Sequence, residues 1–188
     1  MSYPVTLEID YVERRSRLTT FFRLLLAIPL VIVGYFYAIA LFFLAVAAWF
    51  VLLFTAQWPR GMYDLVAGLL RFNARYTAYT MLAVDPYPPF GLAPDPGYPA
   101  RLRVDPPLAR YSRLKVFFRG LYIIPAAIIA YALGLFAFLV AIASWVVIVV
   151  TGRQPAGLQK PLFFCLSYTM RAYALMYLLT ETYPPFDE

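Results

Sequence analysis

The sequence predicts an all-α integral membrane protein made of two tandem repeats, and three observations predict it. Charged residues make up only 14% of the 188 positions, where a soluble domain carries about a quarter. Two runs, from Leu24 to Trp58 and from Gly120 to Gly152, contain no Asp, Glu, Lys or Arg. Each exceeds the roughly 20 apolar residues that a membrane-spanning helix needs, and neither has the short apolar core and cleavage site of a signal peptide. Finally, the second half of the chain repeats the first.

The repeat is read directly. Phe21-Phe22-Arg23 returns as Phe117-Phe118-Arg119, and Ile28-Pro29 as Ile124-Pro125. Tyr35, Trp49 and Thr55 return as Tyr131, Trp145 and Thr151. Pro59 and Gly61 return as Pro155 and Gly157, Arg75 as Arg171, and Tyr87-Pro88-Pro89-Phe90 as Tyr183-Pro184-Pro185-Phe186. The expected organisation is a first repeat over 1–90, a Gly- and Pro-rich linker over 91–98, and a second repeat over 99–188.

Each repeat opens on a short alternating segment. Val5, Leu7 and Ile9 alternate with Thr6, Glu8 and Asp10; Ala100, Leu102 and Val104 alternate with Arg101, Arg103 and Asp105. Period two predicts a strand with one wet face. A basic cluster follows: Arg14, Arg15, Arg17 and Arg23, then Arg110, Arg113, Lys115 and Arg119. Such side chains reach from an apolar segment toward lipid headgroups.

The apolar run comes next. As one straight helix, about 35 residues would extend some 52 Å, against a hydrocarbon core about 30 Å thick. Both ends of each run are basic, with Arg23 and Arg60 around the first and Arg119 and Arg153 around the second. The positive-inside rule places both ends in the cytoplasm. The run is therefore expected to fold into a transmembrane helical hairpin, from about Arg14 to Gly34 and from about Tyr37 to Phe54. Its turn is expected at Gly34 to Tyr37, and at Tyr131 to Gly134 in the second repeat. Pro29 and Pro125 are expected to kink the first helix of each hairpin.

A third helix, from about Met62 to Val84 and over 158–180 in the second repeat, carries one charged stripe: Asp64, Arg71 and Arg75, then Lys160 and Arg171. The stripe predicts an amphipathic helix along the cytoplasmic interface. There Arg75 and Arg171 are expected to tolerate lysine. Each repeat closes on Tyr-Pro-Pro-Phe, an extended segment.

Two hairpins of even helix number give both repeats one orientation, with both termini cytoplasmic and a pseudo-twofold axis along the membrane normal. That axis brings Val5–Asp10 and Ala100–Asp105 together antiparallel. The expectation is a small two-stranded ribbon on the cytoplasmic face, with Glu8 opposite or diagonal to Arg101 or Arg103.

The pattern FFR-x4-IP, a long apolar run, T-G-R-x-P-x-G and a closing YPPF resembles a bacterial membrane family described only as a domain of unknown function. The T-G-R element is intact as Thr151-Gly152-Arg153, whereas the first copy has Thr55-Ala56-Gln57. The resemblance implies no activity.

Chemistry-bearing constellations are sparse. There is no histidine and a single cysteine, Cys165, so the commonest metal ligand and an intrachain disulfide are both absent. No carboxylate interrupts the apolar runs, as proton relays require. No catalytic, cofactor or metal site is expected, and no nucleic-acid partner. The net charge of +6 points to anionic lipid. The candidate lipid-interface residues are Arg14, Arg17, Arg23, Arg110, Arg113, Arg119, Arg75 and Arg171. The expected function is a non-enzymatic scaffold or accessory protein of the inner membrane, multi-pass, binding lipid and docking a second copy or a membrane-protein partner. The alternative, a channel or transporter for a small or lipidic solute, needs a third span per repeat and would make the two copies an inverted repeat.

Overall fold

The computed structural model describes residues 3–186. The first repeat contains β1 (Val5–Ile9), the short α1 (Arg17–Phe21), the long α2 (Arg23–Thr55) and α3 (Arg60–Thr80). The second contains β2 (Ala100–Val104), α4 (Arg113–Phe117), α5 (Arg119–Tyr122), α6 (Ile124–Thr151) and α7 (Ala156–Met176).

The expected turn at Gly34 is absent. The first apolar run is one unbroken helix of 33 residues, and the second differs only by single-residue irregularities at Phe118 and Ile123. The reason is backbone satisfaction. A turn at Gly34-Tyr35-Phe36-Tyr37 would strip helical hydrogen bonds among apolar neighbours with no Ser, Thr, Asn or Asp side chain there to replace them. Gly34 instead admits a neighbour, since a Cβ there would lie 3.9 Å from the Phe72 ring. Pro29 is accommodated inside α2, and Pro125 lies in the first turn of α6, where its missing N–H costs nothing.

A helical hairpin does form, one element later. The chain reverses between α2 and α3, and between α6 and α7. Thr55 Oγ1 donates to the Val51 carbonyl at 2.7 Å and accepts from the Gln57 N–H at 3.2 Å. Thr151 repeats both bonds with Val147 and Arg153. The next residue is left-handed in both copies, Ala56 at φ 58° and Gly152 at φ 71°, which ends the helix. Pro59 and Pro155 then cap the returning helices in extended conformation. The T-G-R-x-P-x-G element is thus a turn, and the first copy keeps it with alanine in the strained position.

α3 returns along α2: Phe72 meets Tyr37 edge-on at 4.8 Å, and Arg23 reaches the Tyr79 carbonyl. α7 returns along α6 through Ala137, Val140, Leu162 and Cys165, then Ala130, Tyr168 and Ala172. The returning helices pack on each other antiparallel. Trp58, just before α3, donates to the Leu178 carbonyl just after α7 at 3.0 Å, and Gln159 at the start of α7 donates to the Ala83 carbonyl just after α3 at 3.0 Å.

The ribbon covers this central pair. β1 and β2 pair antiparallel, with Glu8 opposite Arg101 and Leu7 opposite Leu102, as the alternation predicts. Val5, Leu7, Ala100 and Leu102 are buried on the helices while the charged residues face out. Each strand runs lengthwise. Near one end of β2, Tyr63 donates to the Asp105 carbonyl, and near the other Tyr98 donates to the Pro86 carbonyl.

Two substitutions test these backbone constraints. A Cβ on Gly68 would stand 2.9 Å from the Leu92 Cβ and 3.1 Å from its carbonyl oxygen. Gly68→Ala is expected to lower the unfolding temperature in detergent and to speed proteolytic nicking within 91–98. Ala56→Gly relieves the left-handed strain and is expected to stabilise by up to about 1 kcal/mol, read in the same melts.

Candidate membrane-facing site

Arg23–Thr55 and Arg119–Thr151 are long and apolar enough to cross a membrane. Only 17% and 22% of their most apolar stretches are buried, so they are not core helices of an ordinary globular domain. On α2 the buried positions form one stripe: Arg23, Ala27, Leu30, Leu41, Ala48 and Leu52. The outward arc carries Leu25, Ile32, Phe36, Phe43, Phe50 and Phe54, all exposed. On α6, Ile128, Leu135, Leu139, Ile142 and Val150 do the same. This continuous apolar exterior, with the polar groups at its margins, is the candidate site.

The margins are held by contacts between repeats. Trp49 donates to the Val116 carbonyl at 2.8 Å and Trp145 to the Thr20 carbonyl at 3.0 Å. The same two indoles lie beside Phe117 and Phe21. Backbone bonds add to this: Arg15 N–H to the Gly152 carbonyl, Gln154 N–H to that of Glu13, and Tyr111 N–H to that of Ala56. The start of each long helix therefore sits at the far end of the other one. At one margin Arg14, Arg17 and Arg153 are exposed; at the opposite margin Arg60, Arg110, Arg113 and Lys115 are exposed. Arg113 also donates to the Phe54 carbonyl at 2.9 Å.

Four of the eight arginines expected at the lipid interface turn inward instead. Arg23, Arg75, Arg119 and Arg171 are only 3 to 5% exposed. Arg23 lies over the Tyr79 ring at 4.1 Å, donates to the Val84 carbonyl at 3.2 Å and pairs with Asp85 at 2.9 Å. Arg119 donates to the Thr180 carbonyl at 3.0 Å. Both guanidinium groups serve carbonyls left over where α3 and α7 end, the place where a helix favours positive charge. Arg15 and Tyr111 do likewise, donating to the Ala83 and Leu179 carbonyls. The recurrence of Arg23 as Arg119 marked the position in both copies, but nothing in the sequence named the carbonyls it serves.

Arg75 donates to the Gly91 and Ala93 carbonyls, and Arg171 to the Pro185 carbonyl at 3.3 Å. Arg75 holds the chain just after the first Tyr-Pro-Pro-Phe and Arg171 holds the second one itself; the aromatics of both segments pack back on their own repeat, Phe90 on Phe72 and Phe186 on Tyr168. Buried at these sites, neither residue is placed to tolerate lysine as an interfacial one would, because a compact ammonium does not reproduce the planar fork that Arg75 spreads over two carbonyls and costs more to bury away from water. The stripe on α3 and α7 is covered only in part: Arg75 and Arg171 are buried, Arg71 is half-buried, and Asp64 and Lys160 are exposed. Arg71 and Arg75 line a cleft of about 370 Å³ beneath β2, and Lys160 lines one beneath β1.

Charges on the ribbon are mutually paired. Arg101 grips Asp10 through two hydrogen bonds of 2.7 and 2.8 Å and reaches Glu8 at 3.5 Å. Arg103 approaches Glu8 at 3.6 Å. The two bonds from Arg101 hold the Asp10 carboxyl below the usual carboxylate range.

Arg75→Lys is expected to cost about 1–3 kcal/mol, the penalty for a buried carbonyl losing its donor, measured as a lowered thermal midpoint in detergent. Asp85→Asn leaves Arg23 without its counter-charge and is expected to cost more than the exposed Asp10→Asn, whose pair is worth at most about 1 kcal/mol. The pH dependence has a definite sign. The Asp10 pKa is depressed on folding, so its contribution is present above about pH 4 and fades as the pH falls through the lower folded value. Asp10→Asn removes that step from a pH series of melting temperatures.

No curated protein and no solved structure matches the chain. The family described as Domain of unknown function (DUF4389) matches residues 17–91 and again residues 113–187. Those two stretches each hold the arginine that caps the returning helix, the tryptophan clasp, the threonine turn and the aromatic closing segment, and by them the chain belongs to the DUF4389 family, which it carries as two tandem copies.

Proposed function

We propose that this chain is a non-enzymatic scaffold of the bacterial inner membrane. It embeds α2 and α6 in lipid, holds anionic headgroups at its basic margins, and presents the charged ribbon to a membrane-protein partner or a second copy. The observation that carries this reading is the separation of polarity: outward apolar side chains along the whole of both long helices, and ionised side chains kept to their ends, to the returning helices and to the ribbon and linker. A surface of that composition is far larger than the apolar patches of a soluble monomer. The exposed Arg14, Arg17, Arg110 and Arg113 stand where lipid phosphates would meet them. The acidic side chains Glu8, Asp10 and Asp85 are engaged by arginines, an arrangement that suits structure better than proton transfer.

The transporter alternative has one observation in its favour: the two hairpins run antiparallel, which would make an inverted repeat if the long helices crossed the bilayer. Reconstitution separates the two. The scaffold is expected to co-float with vesicles, to bind those containing phosphatidylglycerol more strongly than purely zwitterionic ones, and to deform or cluster them without making them leaky. Recovery of the protein in the soluble fraction would overturn the membrane reading, and solute flux without any change in vesicle shape would favour transport.

A further inference from the structure

We infer that α2 and α6 do not cross the bilayer but lie flat within one leaflet, the cytoplasmic one, with the ribbon facing the cytoplasm. This rests on the membrane reading above and adds its geometry.

The ribbon lies level with the middle of the long helices. At 33 residues, α2 is about 50 Å long and is centred near Ile39. The α3 residue packed against this middle is Phe72, which touches Tyr37 and faces Gly34. Its neighbour Arg71 lines the same cleft as Glu8, Arg101 and Arg103. If α2 stood across the membrane, Glu8, Arg101 and Arg103 would therefore sit near mid-bilayer, with Asp10 displaced toward the start of α7, where it shares a cleft with Lys160. Arg103 is 77% exposed, Asp10 52% and Glu8 42% at their side chains. Ionised groups at that depth must face protein or water, and on this molecule they face outward.

Lying flat removes the conflict. The strands run lengthwise over the α3–α7 pair, on the side of it away from the outward arcs of α2 and α6. The molecule becomes a slab, charged on top and apolar below. A helix about 10 Å across fits within one leaflet, roughly half of a 30 Å core. Its length then needs no match to bilayer thickness. The charge distribution agrees. Arg14, Arg17 and Arg153 stand at one end of the long helices, and Arg60, Arg110, Arg113 and Lys115 at the other. Cations at both ends place both ends on the cytoplasmic side, and a helix without a turn can satisfy that only by lying in the plane. The occupant of the apolar face is thus one anionic leaflet.

Single-cysteine labelling of the full chain tests this, in a Cys165→Ala background. Glu13→Cys and Gln57→Cys report the two ends of α2, and Arg103→Cys reports the ribbon. All three positions are exposed. A membrane-impermeant maleimide is expected to label all three in inside-out vesicles at least tenfold more than in intact cells. Labelling of the two α2 ends from opposite faces would overturn the inference and restore a spanning helix. Labelling of the ribbon from both faces would overturn it in favour of a water-filled oligomer. Nitroxides in place of Leu25, Phe36 and Phe50 give an independent readout: equal depths are expected, whereas a deep centre between shallow ends would overturn it. Release of the unmodified protein by alkaline carbonate would instead sink the membrane reading, and this inference with it.

Discussion

Everything in this fold depends on satisfying the backbone carbonyls where α3 and α7 end. Those ends lie in apolar surroundings, where an unpaired carbonyl is costly and water is scarce. The chain answers with cations and hydroxyls from the start of the same repeat. Arg15 and Arg23 reach Ala83, Val84 and Tyr79; Tyr111 and Arg119 reach Leu179 and Thr180. Because the donors precede the long helix and the acceptors follow the returning one, each repeat is closed on itself. The long helix then has one permitted partner and one permitted direction.

Closure of each repeat leaves its two ends available to the other copy. The indoles of Trp49 and Trp145 take carbonyls of α4 and α1 in the opposite repeat, and backbone bonds near Gly152 and Ala56 reinforce both margins. The ribbon completes the union from above. Its exposed ion pairs contribute little to stability. What they supply is register, because a slip of one residue would turn Leu7 and Leu102 out to water. The two copies have diverged in charge on these strands while keeping the inward apolar residues, so a pairing that identical acidic or identical basic strands would oppose becomes favourable.

The segregation of polarity follows from this packing. The central α3–α7 pair is covered above by strands and linker and flanked by the long helices. It therefore encloses Arg75 and Arg171 and leaves the outer faces of α2 and α6 uncovered and apolar. The elements that recur in both copies are packing devices: a cap, a clasp, a turn and a closing strap.

The sequence by itself determined that the chain is helical and apolar, that it is duplicated, and that it begins each copy with a half-buried strand. Those are properties of composition and short-range period, which need no knowledge of neighbours. The ribbon follows only once a twofold relation between the copies is added, because alternation and opposite charge make two strands compatible without naming the partner of either. Only the tertiary structure decided where the chain reverses and where the arginines point. The reversal lies at Thr55–Pro59 rather than Gly34, because a turn needs a hydroxyl cap, a left-handed residue and a proline together, and length against bilayer thickness is a weaker constraint than backbone hydrogen bonding. Arg23, Arg75, Arg119 and Arg171 read as interfacial by their flanks, yet each is buried. What draws them in is a set of carbonyls 14 to 61 residues away in the chain, and no local pattern reveals an acceptor that only folding brings within reach.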